Sequence, residues 1–173
     1  MTTGQTMLTL GAFVFLSTIM LNFYRLVADT GTVIASGQDG ILATTIATSY
    51  MELAQGVAFD NVTDSSDIAI ANPSALSSVL GPEAGEDSLS QYNDFDDFNG
   101  ATVDKQATGS NRRYRTTFSV CYANPNDVSQ KSGGKTYLKR MDLKTWRIEP
   151  PAAGPNDIDT LRTSLVMGYF HFD

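Results

Sequence analysis

Little in this chain is equipped for covalent or metal chemistry. It has one cysteine, Cys121, and one histidine, His171. A lone cysteine excludes an intrachain disulfide and a cysteine-cluster metal site. A lone histidine excludes an imidazole-based zinc cluster and leaves a Ser-His-Asp or Cys-His catalytic site with little support. Charge is sparse at 18% of residues, and its balance is acidic: 19 Asp and Glu against 12 Lys and Arg, a formal net charge of -7. A chain of that sign is poorly suited to a phosphate backbone, so no nucleic acid is expected as a partner. Wholesale disorder is excluded by a hydrophobic content of 42%. The 173 residues fit one domain with an appendage, and the composition favours a protein that is not an enzyme.

The sharpest local absence is at the N-terminus, where no charged side chain precedes Arg25. The segment 7–26, MLTLGAFVFLSTIMLNFYRL, is almost continuously apolar. Twenty helical residues span about 30 Å, the thickness of a bilayer's hydrocarbon core. A buried core helix rarely sits at the extreme end of so small a chain. A cleaved secretory signal has a shorter apolar run, a basic stretch before it and a small-residue cleavage site after it. Here no Lys or Arg precedes the run, so the segment is expected to remain part of the protein.

Residues 27–57 contain no proline, and Ile34, Ile41, Leu42, Ile46, Tyr50, Leu53, Ala54 and Val57 recur at helical spacing. Gly31, Gly37 and Gly40 weaken the pattern by about 1 kcal/mol each and mark a place for a kink. Gly56 and Asp60-Asn61 read as the stop. The first third is therefore expected to form one helix of about 50 residues and about 80 Å, lipid-soluble in its first half and amphipathic in its second. The exposed apolar half requires a membrane or other copies of the chain.

This arrangement resembles the type IV pilin superfamily, the pilins and the pseudopilins of type II secretion. Gly4-Gln5, just before the apolar segment, looks like the junction cut by prepilin peptidase. Residues 42–63, LATTIATSYMELAQGVAFDNVT, look like the end of the family's spine helix. Tyr92-Asn93-Asp94-Phe95-Asp96-Asp97-Phe98-Asn99-Gly100 resembles the FDDxDDYNG segment that follows the spine in several members, and Lys139–Ile148, KRMDLKTWRI, resembles their basic sheet strand. The family usually carries a glutamate at the fifth mature position, where it is held to pair with a neighbour's N-terminal amine. Counted from Gln5 that position is Thr9, which offers a hydrogen bond and no charge.

The resemblance implies an α+β, pilin-like fold: a long N-terminal spine helix packed on a small C-terminal antiparallel β-sheet of about three to four strands. Residues 1–4 would be a leader, 5–58 the spine and 59–173 a globular head, with 59–110 an acidic loop region and 111–173 a β-meander. The function implied is that of a structural subunit of an extracellular filament or pseudopilus. A minor or tip subunit and a stand-alone, single-span membrane-anchored binding module are the alternatives. Its partners would be copies of itself, the pilin-like assembly machinery and prepilin peptidase. It would lie in the bacterial inner membrane before assembly, then in a surface filament or periplasmic pseudopilus.

Within the head, the residues themselves say less about chemistry. Asp94, Asp96 and Asp97, flanked by Asn93 and Asn99, offer hard oxygen ligands suited to calcium. Their spacing is not that of an EF-hand, and a solvated or turn-forming acidic loop is the favoured reading, with Phe95 and Phe98 as its anchors. No other cofactor is expected. Tyr114, Phe118, Val120 and Tyr122 alternate along one strand that also buries Cys121. Leu138, Trp146 and Ile148 share a parity on the next, with Trp146 read as core, and Leu161–Phe172 closes the sheet with His171 near its end. Arg112, Arg113 and Arg115 form a basic cluster expected to face the acidic loop. The charges segregate: one base and 13 acids lie before Lys105, 11 bases and six acids from it onward.

Overall fold

A computed structural model describes residues 2–64, 69–151 and 160–170. Two compact units divide between Asp39 and Gly40, and helix α1, Thr3–Gln55, contributes to both. In the first unit every described residue from Thr2 to Ile34 is exposed. The helix runs through Gly31, Gly37 and Gly40 without a break, and a side chain added at any of the three would meet nothing within 4 Å. The absence of proline and the run of Leu, Met, Ala and Phe keep the backbone hydrogen bonds intact.

In the second unit the remainder of α1 packs on a sheet through Ala43, Ile46, Ala47, Tyr50 and Ala54. The small alanines allow close approach, and the Tyr50 ring meets Phe118 edge-on at 5.4 Å. The more hydrophobic-looking Ile34, Ile41 and Leu53 of the same predicted stripe stay exposed. Two short helical segments follow, α2 at Asn61–Asp64 and a 3-10 turn at Pro73–Ala75 whose start is capped by Asn72.

The sheet has five strands: β1 Thr102–Gln106, β2 Arg113–Asn124, β3 Asp127–Lys131, β4 Leu138–Glu149 and β5 Leu161–Gly168. Its order is β1-β2-β4-β5, antiparallel throughout, with β3 paired to the end of β2. The α+β layout follows the expectation, whereas five strands replace the expected three to four. The two extra strands carry weak sequence signals. β1, TVDKQ, has a single apolar residue and ends what reads as loop, and all five residues of β3 are exposed.

β2 and β4 form the centre. Their register pairs Thr116 with Thr145, Phe118 with Leu143, Val120 with Met141 and Tyr122 with Lys139, all buried on the face toward α1. The β2 parity agrees with the sequence pattern, and Cys121 is buried as expected. The β4 parity is the reverse of the expected one. Leu138, Trp146 and Ile148 are only half-buried on the other face, while Lys139 is fully buried. His171 and Phe172 lie outside the described residues.

Candidate functional site

Two features set this chain apart from an ordinary small domain: an uncovered apolar helix and a set of buried charges. In the first unit Phe13 is 73% exposed, Phe15 69% and Leu16 57%. This is one helix long and apolar enough to cross a membrane. Several of its hydroxyls are turned onto its own backbone. Ser17 Oγ donates to Phe13 O and Thr18 Oγ1 to Val14 O, both at 2.8 Å. Gly4 and Gln5 lie in the first turns, both exposed. Thr9, the fifth residue counted from Gln5, donates to Thr6 O at 2.9 Å and lies 3.1 Å from Gln5 O.

The buried charges lie behind the sheet's centre. Where α1 ends, the chain passes through Ala58, Phe59 and Asp60, and it is clamped there to the 92–100 loop. Ala58 N donates to Asn93 O at 3.0 Å, and Phe95 N donates to Ala58 O at 2.9 Å. Phe95 and Phe98 are fully buried, as their anchoring role requires, and each contributes about 1.5–3 kcal/mol by leaving water. Gly100 closes the loop at φ +81°, a conformation that excludes most side chains, and its N–H donates to Phe118 O at 3.2 Å.

Lys139 is the hub. Its ammonium donates to Phe59 O and Asp60 Oδ2, both at 2.8 Å, and to Asp96 Oδ1. It also sits over the rings of Phe59 and Tyr122, at 4.8 and 5.6 Å. Asp60 further accepts from Ser77 N at 3.0 Å and Ser77 Oγ at 2.8 Å. Burial pushes the Asp60 carboxyl up, but the hydrogen bond and charge of Lys139, helped by Ser77, outweigh it and hold the group below its ordinary value. Burial and the Asp60 charge raise the Tyr122 hydroxyl, which donates to Ser77 O at 2.7 Å. A buried, multiply bonded ion cluster of this kind fixes how β4, the end of α1 and the acidic loop meet.

The acidic loop is built by reciprocal turns. Asp97 Oδ2 accepts from Asn93 N and Asp94 N at 2.9 and 3.0 Å, and Asp94 Oδ1 accepts from Asp96 N and Asp97 N at 2.8 and 3.2 Å. The turn-forming reading therefore holds, but the solvated one does not. Asp94, Asp96 and Asp97 all have 0% exposure. Among the described residues, Asp94 Oδ2, Asp96 Oδ2, Asp97 Oδ1 and Asn93 Oδ1 are buried and accept no hydrogen bond.

The three aspartates are not equivalent. Asp96 is drawn to Lys139, whereas Asp94 and Asp97 converge with Glu83, each offering a carboxylate oxygen within 4.8 Å of the others. Burial, then the charges of Asp96 and Asp97, push Asp94 up to about 8. Burial raises Asp96 and Asp97 as well, against the Lys139 charge in the first and the loop's backbone donors in the second. Glu83 is raised by burial, by its contact with the Glu86 carboxyl and by the charge of Asp97. Glu83 carried no signal in the sequence, since it stands eleven residues from Asp94 behind Gly81-Pro82. Gly81, at φ +141°, is what turns the chain there.

Comparison with known protein families, curated proteins and solved structures finds no match.

The remaining sequence candidates are placed elsewhere. Arg115 pairs with Asp104 through two contacts of 2.7 Å, and Arg113 lies 3.5 Å from Glu149, so these two members of the basic cluster bind neighbouring strands and not the acidic loop. Lys139 is the basic residue that meets the loop. Its only trace in the sequence was that it shares parity with Met141 and Leu143.

Proposed function

We propose that this chain is a structural subunit of a type IV pilin-like filament or pseudopilus that polymerises through the apolar part of α1. The observation that carries the reading is the apolar helical surface of residues 7–26, whose large side chains are all exposed. A surface of that size in water requires lipid or protein around it. Supporting it is the division of labour along α1, apolar before Arg25 and packed on an antiparallel sheet from Ala43 onward. On this reading the helix rests in the inner membrane after synthesis, prepilin peptidase cuts between Gly4 and Gln5, and assembly machinery moves the subunit into a filament with copies of itself.

Thr9 favours a minor or tip position within such an assembly. Its hydroxyl is bonded to its own helix and carries no charge to pair with a neighbour's amine. N-terminal sequencing of the protein recovered from membranes, followed by electron microscopy after detergent removal, tests the proposal. A mature start at Gln5 and helical fibres are the expected results. An intact Met1 with a monomer that never forms fibres, alone or with co-expressed pilin-like proteins, overturns it in favour of a single-span anchored binding module.

A further inference from the structure

Among its described residues the head buries four aspartate carboxyls and one cation, Lys139. Lys139 is engaged by Asp60 and Asp96. Asp94 and Asp97, equally buried, are not in the ion pairs of Lys139, whose charge reaches Asp94 only at longer range. Each uses one oxygen to accept from the other's backbone N–H and leaves its second oxygen without a donor. A buried carboxylate oxygen without a donor is costly, and native structures leave few of them.

We propose that Glu83, Asp94 and Asp97 form a calcium site that joins the turn after Gly81 to the 92–100 loop. The size fits. The three carboxylate oxygens lie within 4.8 Å of one another, close enough for all three to reach one ion whose ligands stand at about 2.4 Å. Magnesium keeps several of its waters and is seldom held by protein carboxylates alone, whereas calcium accepts such a set. The chemistry also fits: hard anionic oxygens, with the Asn93 amide oxygen undonated in the same loop. Glu83 is the exposed member and gives the ion its path from solvent. Asp96 gives one oxygen to Lys139, and its carboxylate lies outside the set of three that converge. The site needs no filament and stands independently of the proposed function.

The test uses the full chain in detergent, stripped of metal by a chelator. Calcium chloride is titrated while thermal unfolding is followed, and terbium(III) luminescence reports direct occupancy. Calcium is expected to raise the unfolding temperature and to displace terbium, with magnesium at the same concentration much less effective. Glu83→Gln removes a charge from an exposed residue, so the fold survives, and it should weaken terbium binding by at least about tenfold. Asp97→Asn should weaken it further. Asp127→Asn, which removes an exposed carboxylate on β3, should change nothing. No calcium-dependent shift at millimolar concentration, or an unchanged response in Glu83→Gln, overturns the proposal and assigns the balance of charge to protons on the carboxyls.

Discussion

The first 34 residues and the head treat water in opposite ways. The former set Phe13, Phe15 and Leu16 in the open, and the latter takes Asp60, Asp94, Asp96, Asp97 and Lys139 out of reach of solvent. Either choice would be costly if the chain were alone in water: exposed apolar surface forfeits about 25 cal/mol per Å², and an unpaired buried charge forfeits several kcal/mol. Each inversion therefore points to something outside the chain's own atoms, a hydrocarbon or protein surround for the helix and a counter-charge for the acids. They differ in how much is solved internally. The head pairs part of its charge through Lys139, whereas no described residue covers the apolar helix.

Substitutions should separate the two regions cleanly. The largest effect is expected from Lys139→Met. It leaves Asp60 and Asp96 buried without their cation and should destabilise the head by about 3–5 kcal/mol, read from denaturant unfolding followed by near-UV circular dichroism. Adding Asp96→Asn should restore part of that loss. A full-stability Lys139→Met protein would mean that the hub does not hold the head together. Leu16→Lys should cost about 2.5–3.5 kcal/mol of membrane insertion, the penalty for a lysine at the centre of a spanning helix, and leave head unfolding unchanged. Carbonate extraction from membranes measures it, and full retention would argue against residues 7–26 as the inserted segment.

A smaller effect concerns pH in metal-free buffer. Asp94, with its carboxyl at about 8 in the folded chain, holds a proton there that the unfolded chain has lost. Stability from this group is therefore full below the ordinary carboxylate value and declines as pH rises toward about 8. Asp60 acts in the opposite sense: its contribution is present above its unfolded value and is lost as pH falls through its lowered folded value. The metal-free head should thus be most stable near pH 4, about where unfolded aspartates titrate. A melting temperature that climbs steadily from pH 5 to 8 would contradict the arrangement of Asp94. Smallest of all is Arg115→Gln. Its bidentate contact with Asp104 lies on the surface, where salt and water screen it, and no resolvable change in unfolding is expected.

What could be read in advance depended on how local the cause was. Helix α1 was legible because its cause is local, an unbroken run without proline or early charge. So was the core face of β2, with four large residues on one parity. The face of β4 was misread because a lysine there looks solvent-bound. What buries it is Asp96, 43 residues earlier, and Asp60, 79 residues earlier. The acidic loop divides the same way. Its turns come from side chains bonding backbone two to four residues away, whereas its burial depends on Phe95, Phe98 and that distant lysine. β1 and β3 were missed because an edge strand with charged or polar residues differs little from a loop until its neighbour is known.

The hydroxyls of α1 carry one further consequence. Thr6, Thr9, Ser17, Thr18 and Thr30 each donate to a carbonyl three or four residues back in the same helix. The donors of these five hydroxyls therefore need no partner from water or lipid when the helix changes its surroundings. Transfer between one apolar surround and another then turns on shape and dispersion alone, terms that change little from neighbour to neighbour. A segment insulated in this way can exchange its surroundings repeatedly at low barrier, and it remains the same rigid rod in each of them.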